Sequence, residues 1–186
     1  EAPTADHLMT IDAHINARFS FPHRRSVTKT IRQIACAWRT PWHAANRIPS
    51  ALEFVELVST IRSFSPNLLW LEGPWFGVTV RRIARELGCG YAYRSHNVEH
   101  IYIWNQAKVA GSLRDSLAWR LACIGLKRFE QRLLVDATAV FDISMDDLLF
   151  WKELGIERLH WLPPLPEIAV EPNSNSALPC DVLFLG

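Results

Sequence analysis

Residues 67–72 read N-L-L-W-L-E, are followed by Gly73-Pro74, and decide the fold class. A short apolar run bounded by turn residues is typical of a buried strand in a parallel sheet. The run G-Y-A-Y-R-S at residues 90–95 predicts a second strand, and residues 78–87 between them have apolar positions at helical spacing. Strands that alternate with helices predict βαβ units. The sequence therefore predicts an α/β fold, with a Rossmann-like parallel sheet flanked by helices.

The same pattern extends on both sides of this unit. Ser50, with Glu53 three residues later, predicts the capped start of a helix. After the second strand, the apolar spacing predicts one long helix over residues 113–134, and a third strand over residues 138–143. A helix capped at Ser144 and ending at Gly155, and a short strand at residues 160–162, complete the regular part. Before Ser50 the pattern is weaker, with a strand predicted over 9–18 and a basic helix over 27–38.

Composition narrows the class of protein. The 186 residues are 49% hydrophobic and 21% charged, as in an ordinary globular protein, and the formal net charge of +1 does not favour a nucleic-acid partner. The four cysteines lie far apart and form no C-x-x-C pair, so we expect reduced core thiols and a cytoplasmic protein. No apolar run is long enough to predict a membrane span.

The end of the chain predicts a second structural unit. Residues 167–180 are rich in Pro, Asn and Ser, which is typical of a linker between domains. Residues 181–186 read D-V-L-F-L-G, a strand-like run that needs pairing partners. We therefore predict a first domain over 1–166, a linker over 167–180, and the first strand of a truncated second domain over 181–186.

Ligands of open parallel sheets bind beyond the carboxyl ends of the strands. The polar residues at those positions are candidate site residues: Glu72, His96, Asn97, Glu99 and Ser144. Each has a structural alternative, because a loop histidine can be satisfied by its neighbours and Glu99 can cap the segment that follows it. A lone carboxylate such as Glu72 is more often a solvated strand end.

Two other motifs give weaker hypotheses. Residues 96–100 read H-N-V-E-H and match the H-x-x-E-H signature of zinc hydrolases, but the first histidine directly follows a strand instead of lying inside a helix. We expect no metal site here. Basic clusters at 81–85 and 127–132 are typical of solvated helix faces, and peripheral contact with an anionic membrane is the alternative.

An ordered set of motifs gives the chain a family resemblance. R-S-H-N-V-E at 94–99, F-E at 129–130, Asp136, S-x-x-D at 144–147 and L-P-P at 162–164 follow one another as in the N-terminal domain of family-four glycosyltransferases. Residues 181–186 resemble the first strand of that family's C-terminal domain. The resemblance covers roughly residues 50–186, and the family's opening strand has no convincing counterpart in residues 1–49, so the first domain over 1–166 departs from the family there.

The resemblance implies a GT-B fold, in which two Rossmann-like domains face each other across a cleft. It implies a metal-independent retaining transferase that needs no cofactor beyond its nucleotide-sugar co-substrate, with a glycan, lipid or other sugar as acceptor. His96 matches the catalytic histidine that faces the reacting sugar and phosphate, and Asn97 and Glu99 match the rest of its loop. The chain would be the acceptor-side portion, inactive without its own C-terminal domain. A non-catalytic α/β domain that binds a ligand or partner is the alternative.

Overall fold

The computed structural model describes residues 39–163 and 182–185. The secondary-structure elements of these residues are, in chain order, α1 (Trp42–Asn46), α2 (Ala51–Phe64), β1 (Leu68–Glu72), α3 (Gly77–Leu87), β2 (Gly90–Ser95), α4 (Glu99–Val109), α5 (Leu113–Ala122), α6 (Leu126–Asp136), β3 (Ala139–Asp142), α7 (Met145–Glu153), β4 (Leu159–Trp161) and β5 (Val182–Leu185).

The strands form one parallel sheet in the order β4-β3-β2-β1-β5. This confirms the predicted Rossmann-like α/β architecture, a parallel sheet flanked by helices. Strands β1 to β4 follow one another in a single direction across the sheet, with helices in the connections between them. Right-handed connections in one direction place those helices on the same face of the sheet.

The hydrophobic core lies between that face and the helices. Leu69 and Leu71 of β1 are fully buried, whereas Trp70 between them is only half-buried, as expected for alternating sides of a strand. On the buried face, the Tyr91 hydroxyl donates a hydrogen bond to the Leu133 carbonyl at 2.7 Å. A Cβ added at Gly77 would lie only 2.6 Å from the Leu133 methyl groups, so α3 and α6 approach each other closely.

Local capping signals fix several of the predicted helix ends. The Ser50 hydroxyl accepts from the Glu53 N–H at 3.3 Å, and the Glu53 carboxylate accepts from the Ser50 N–H at 2.7 Å. Helix α3 ends at Gly88, whose φ of +70° lies in the left-handed region that favours glycine. These predictions are confirmed.

The helical region between β2 and β3 differs from the prediction. The single helix predicted over 113–134 is two helices, α5 and α6, because Gly125 has a φ of +74° and breaks the chain direction. Residues 99–109, which had no predicted helix, form α4. The N-terminus of α4 has no capping side chain of its own, and Glu99, which the sequence offered as a possible cap, is the first residue of the helix instead.

The final described segment extends the same sheet. Strand β5 pairs in parallel with β1, with Leu68 opposite Val182 and Leu71 opposite Leu185. The sequence predicts that residues 181–186 begin a second domain, whereas in the structure the backbone of residues 182–185 supplies the neighbour that the edge of β1 requires. The division into domains stays a prediction, and the predicted linker at 167–180 and the predicted elements before residue 39 lie outside the described residues.

The described residues bear on two predictions: the cysteines are reduced core thiols, and the chain has no membrane span. Cys89 and Cys123 are free and half-buried, while Cys36 and Cys180 lie outside the described part. Within the described part, no helix combines the length and apolar character that a bilayer crossing needs.

Candidate functional site

The carboxyl end of the sheet brings together two of the predicted site residues. Glu72 ends β1, and His96 follows β2, the central strand. The His96 Nε2 atom lies 2.6 Å from the Glu72 Oε2 atom. The histidine side chain is 42% exposed and the glutamate side chain 22%. Glu72 is therefore an ordered hydrogen-bond acceptor and not an isolated, solvated carboxylate.

Two further side chains hold the Glu72 carboxylate in place. Its Oε1 atom accepts from the indole Nε1 of Trp70 at 2.7 Å and from the Arg94 guanidinium at 3.3 Å. Partial burial acts to raise the pKa of Glu72, but the hydrogen bonds from Trp70 and His96 and the charge of Arg94 outweigh burial and lower the pKa below its usual value. The carboxylate is thus ionised at neutral pH and can only accept hydrogen bonds.

An ionised Glu72 determines the chemistry that His96 can offer. The imidazole must donate its Nε2 hydrogen to the carboxylate, which leaves Nδ1 as the ring atom available to a ligand. A neutral ring accepts a hydrogen bond at Nδ1, for example from a sugar hydroxyl, and a protonated ring donates there, for example to a phosphate oxygen.

Sequence reasoning did not assign Arg94 or Trp70 to this site. Register explains the position of Arg94, because it lies directly opposite Glu72 in the β1–β2 ladder. Parallel neighbours in register point to the same face of a sheet. The Arg94 Nε atom is buried and makes no hydrogen bond within the protein, although the terminal Nη1 binds Glu72.

Asn97 and Glu99 lie close to His96 in sequence, but the hydrogen bonds of the Glu72 carboxylate come from Trp70, Arg94 and His96. The Asn97 carbonyl accepts from the Ser95 hydroxyl at 3.1 Å, which folds the loop back onto β2. Burial and the neighbouring Glu130 charge raise the pKa of Glu99, although the charge of His96 and a hydrogen bond from the Asn97 side chain act in the opposite direction. A binding role for Asn97 and Glu99 stays a prediction.

Glu130 is a second central carboxylate, and the sequence indicated it only as part of the F-E motif at 129–130. Its side chain is fully buried on α6. It accepts from the backbone N–H groups of Glu99 at 2.8 Å and His100 at 2.9 Å, and from the His100 ring Nδ1 at 2.7 Å. Glu130 therefore caps α4 from another helix and orders the end of the loop that contains His96.

Ser144 has a structural role in the described residues. Its hydroxyl accepts from the Asp147 N–H at 3.3 Å and caps α7, as the S-x-x-D motif predicts. The backbone N–H of Ser144 donates to Asp142 at 3.0 Å. Its predicted contact with substrate stays a prediction.

The two histidines of the H-x-x-E-H motif bind different carboxylates of the protein. His96 binds Glu72, whereas His100 lies inside α4 and binds Glu130. The His100 ring also packs near the rings of Phe150 and Trp151, at centroid distances of 6.0 and 5.9 Å. Across residues 39–163, no three His, Cys, Asp or Glu side chains are grouped so that they could hold a metal ion.

The chain matches no protein-family model, no curated protein and no solved structure.

Proposed function

We propose that this chain forms the acceptor side of a retaining glycosyltransferase that uses a nucleotide-sugar donor. The observation that carries the proposal is the Glu72–His96 pair, a half-exposed imidazole fixed by an ionised carboxylate beyond the ends of parallel strands. Ligand sites of open parallel sheets lie at that edge. The family resemblance of residues 94–99 supports the same assignment of His96.

The reaction needs what such an imidazole can supply. The bond between the sugar's anomeric carbon and the diphosphate breaks, the nucleoside diphosphate leaves with the electron pair, and the acceptor oxygen forms the new bond while its proton passes to the departing diphosphate. A hydrogen-bonding group held in a water-poor cleft stabilises the charge that develops on the leaving phosphate or orients a sugar hydroxyl. In this proposal His96 is that group, and Glu72 positions it.

In this proposal, a second α/β domain makes most of the contacts with the donor. The family resemblance implies that this donor-binding domain has a Glu-x7-Glu pair. A non-catalytic ligand-binding domain is the alternative, and a gene product without a donor-binding domain would favour it. The acceptor is a glycan, lipid or other sugar.

The test compares His96→Ala with wild type in the full-length gene product, assayed for transfer from a panel of nucleotide sugars. We expect the variant to lower kcat by about 100-fold or more, as loss of one preorganised hydrogen-bonding group typically does. Donor affinity, measured by calorimetry, should not change, because the donor is bound mainly by the other domain.

His160→Ala is the matched control, since His160 is an exposed histidine on β4 of the same sheet. It should leave kcat unchanged. Unchanged turnover in His96→Ala, or an equal loss in both variants, would contradict the role assigned to His96.

A further inference from the structure

Helix α5 has apolar side chains on the side that faces away from the protein. Leu113, Leu117 and Leu121 follow one another at four-residue steps, which places them in one stripe, and they are 92%, 57% and 55% exposed. On the opposite side of α5, Ala122 is buried and Trp119 packs against the core. A helix that is apolar on both sides normally has a protein core or a membrane packed against each side.

The stripe continues onto the neighbouring segments. Val109, at the end of α4, is 75% exposed beside the start of α5, and Ile124 is exposed just after its end. We call Val109, Leu113, Leu117, Leu121 and Ile124 the α5 stripe.

The charges around the α5 stripe are strongly basic. Residues 101–128 contain five basic side chains and a single acidic one, Asp115, which gives this segment a net charge of +4 while the whole chain has +1. All five basic side chains are exposed. They are Lys108, Arg114, Arg120, Lys127 and Arg128. An apolar stripe with a basic margin complements a partner that is both apolar and anionic.

Aromatic side chains on α4 extend the same surface. Trp104 is partly exposed, and the Arg120 guanidinium lies 5.4 Å from the centre of its ring. Tyr102 is also exposed. Tryptophan and tyrosine are enriched where an apolar phase meets water, and arginine beside them is favoured near anionic headgroups.

We propose that the α5 stripe and its basic margin bind the anionic surface of a lipid bilayer. The leucines enter the boundary between headgroups and acyl chains, and the arginines and lysines contact phosphate groups. This inference does not rest on the proposed transferase activity. Helix α4 begins beside His96 and is about 16 Å long, so bilayer contact at its far end would keep the candidate site near the membrane.

A second copy of the chain fits the surface less well. A twofold dimer would place the α5 stripe of each copy against that of the other. Both basic margins would then face each other, and like charges opposed across an interface are unfavourable.

The test is co-sedimentation of the 186-residue chain with vesicles of equimolar phosphatidylcholine and phosphatidylglycerol. We expect binding that weakens as salt is added, and much weaker binding to pure phosphatidylcholine. The double variant Leu113→Ser, Leu117→Ser should lower the binding constant about tenfold or more, since each leucine loses its burial in the bilayer. Arg114→Glu with Arg120→Glu should lower it similarly.

The matched control is Leu52→Ser with Val55→Ser, which removes two exposed apolar side chains from α2. It should bind as wild type does, and circular dichroism establishes that every variant is folded. The proposal is overturned if wild type does not bind the mixed vesicles or if the control loses binding equally. Self-association that is lost in the α5 variants, without vesicle binding, would also overturn it and assign the stripe to a dimer.

Discussion

Asp142 is an acidic residue at the end of an otherwise apolar strand, and its side chain is fully buried. One carboxyl oxygen accepts from the Ser144 N–H at 3.0 Å, but the other has no hydrogen-bond partner within the protein. Burial raises the pKa of Asp142 from 3.8 to about 6, although the nearby Ser144 and Ser95 groups act to lower it. The neighbouring Asp147 charge adds to the increase.

This raised pKa predicts a pH-dependent loss of stability. The folded state binds the Asp142 proton more tightly than the unfolded state. Protonation of Asp142 therefore adds fully to the free energy of unfolding below pH 3.8, and this stabilisation is lost as the pH rises to about 6. The variant Asp142→Asn cannot ionise and should escape this loss, which is on the order of 2–3 kcal/mol. Urea unfolding of both proteins across that pH range measures the difference.

Asp146→Asn is the control for this experiment, because Asp146 is exposed on the adjacent helix α7. Its stability relative to wild type should not increase across the same range. A difference between wild type and Asp142→Asn that is the same at every pH would refute the ionisation of a buried Asp142 as its cause.

At the scale of single elements, α4 depends on a side chain that is 30 residues away in sequence. Glu130 accepts both the Glu99 and the His100 N–H groups, and no local side chain caps this helix. A glutamine in its place presents an NH₂ group to N–H donors, so at least one of these hydrogen bonds must be lost.

We therefore expect Glu130→Gln to lower the free energy of unfolding by about 1–3 kcal/mol. Amide hydrogens at Glu99 and His100 should also exchange faster, which NMR or mass spectrometry can measure. Glu157→Gln, at an exposed position, is the control. Unchanged exchange at the start of α4 in Glu130→Gln would show that the helix does not need this cap.

The sequence correctly predicted the helix boundaries that are set by residues close together in the chain. The Ser50, Gly88 and Ser144 helix boundaries depend on groups within a few residues of one another, so the sequence pattern contains them. Helix α4 was missed because its cap comes from α6. The break at Gly125 was missed because apolar spacing continues through it, whereas the backbone turns there.

At the scale of the whole molecule, β5 covers the edge of β1 that would otherwise have no neighbouring strand. Its pairing with β1 predicts that a chain ending at Asp181, which lacks β5, is less stable than the 186-residue chain. The loss should be on the order of 2 kcal/mol, because the hydrogen bonds of one short ladder disappear. Amides on the exposed edge of β1 should exchange faster as well.

A chain ending at Pro163 tests whether β5 alone is responsible. If β5 is the cause, this shorter chain should be no less stable than the one ending at Asp181. Equal stability of the 186-residue chain and the chain ending at Asp181 would instead support the prediction that residues 181–186 belong to a separate domain.

The candidate site was partly predictable for the same reasons. The rule that parallel strands present their carboxyl ends at one edge places Glu72 near His96, and the structure brings them into contact. The contribution of Arg94 depends on strand register, which the sequence pattern does not define. The place of β5 beside β1 depends on competition between pairing partners, and no local pattern contains that information.

The contact between Glu72 and His96 spans a single βαβ unit of the chain, since the two positions are 24 residues apart in sequence. Contacts of short sequence separation require little loop closure, so they can form early when the chain folds. The polar pair should consequently assemble with the first parallel strands, before β3 and β4 join the sheet. In a nascent chain leaving the ribosome, the β1–α3–β2 unit would then be folded while the later helices are still being synthesised.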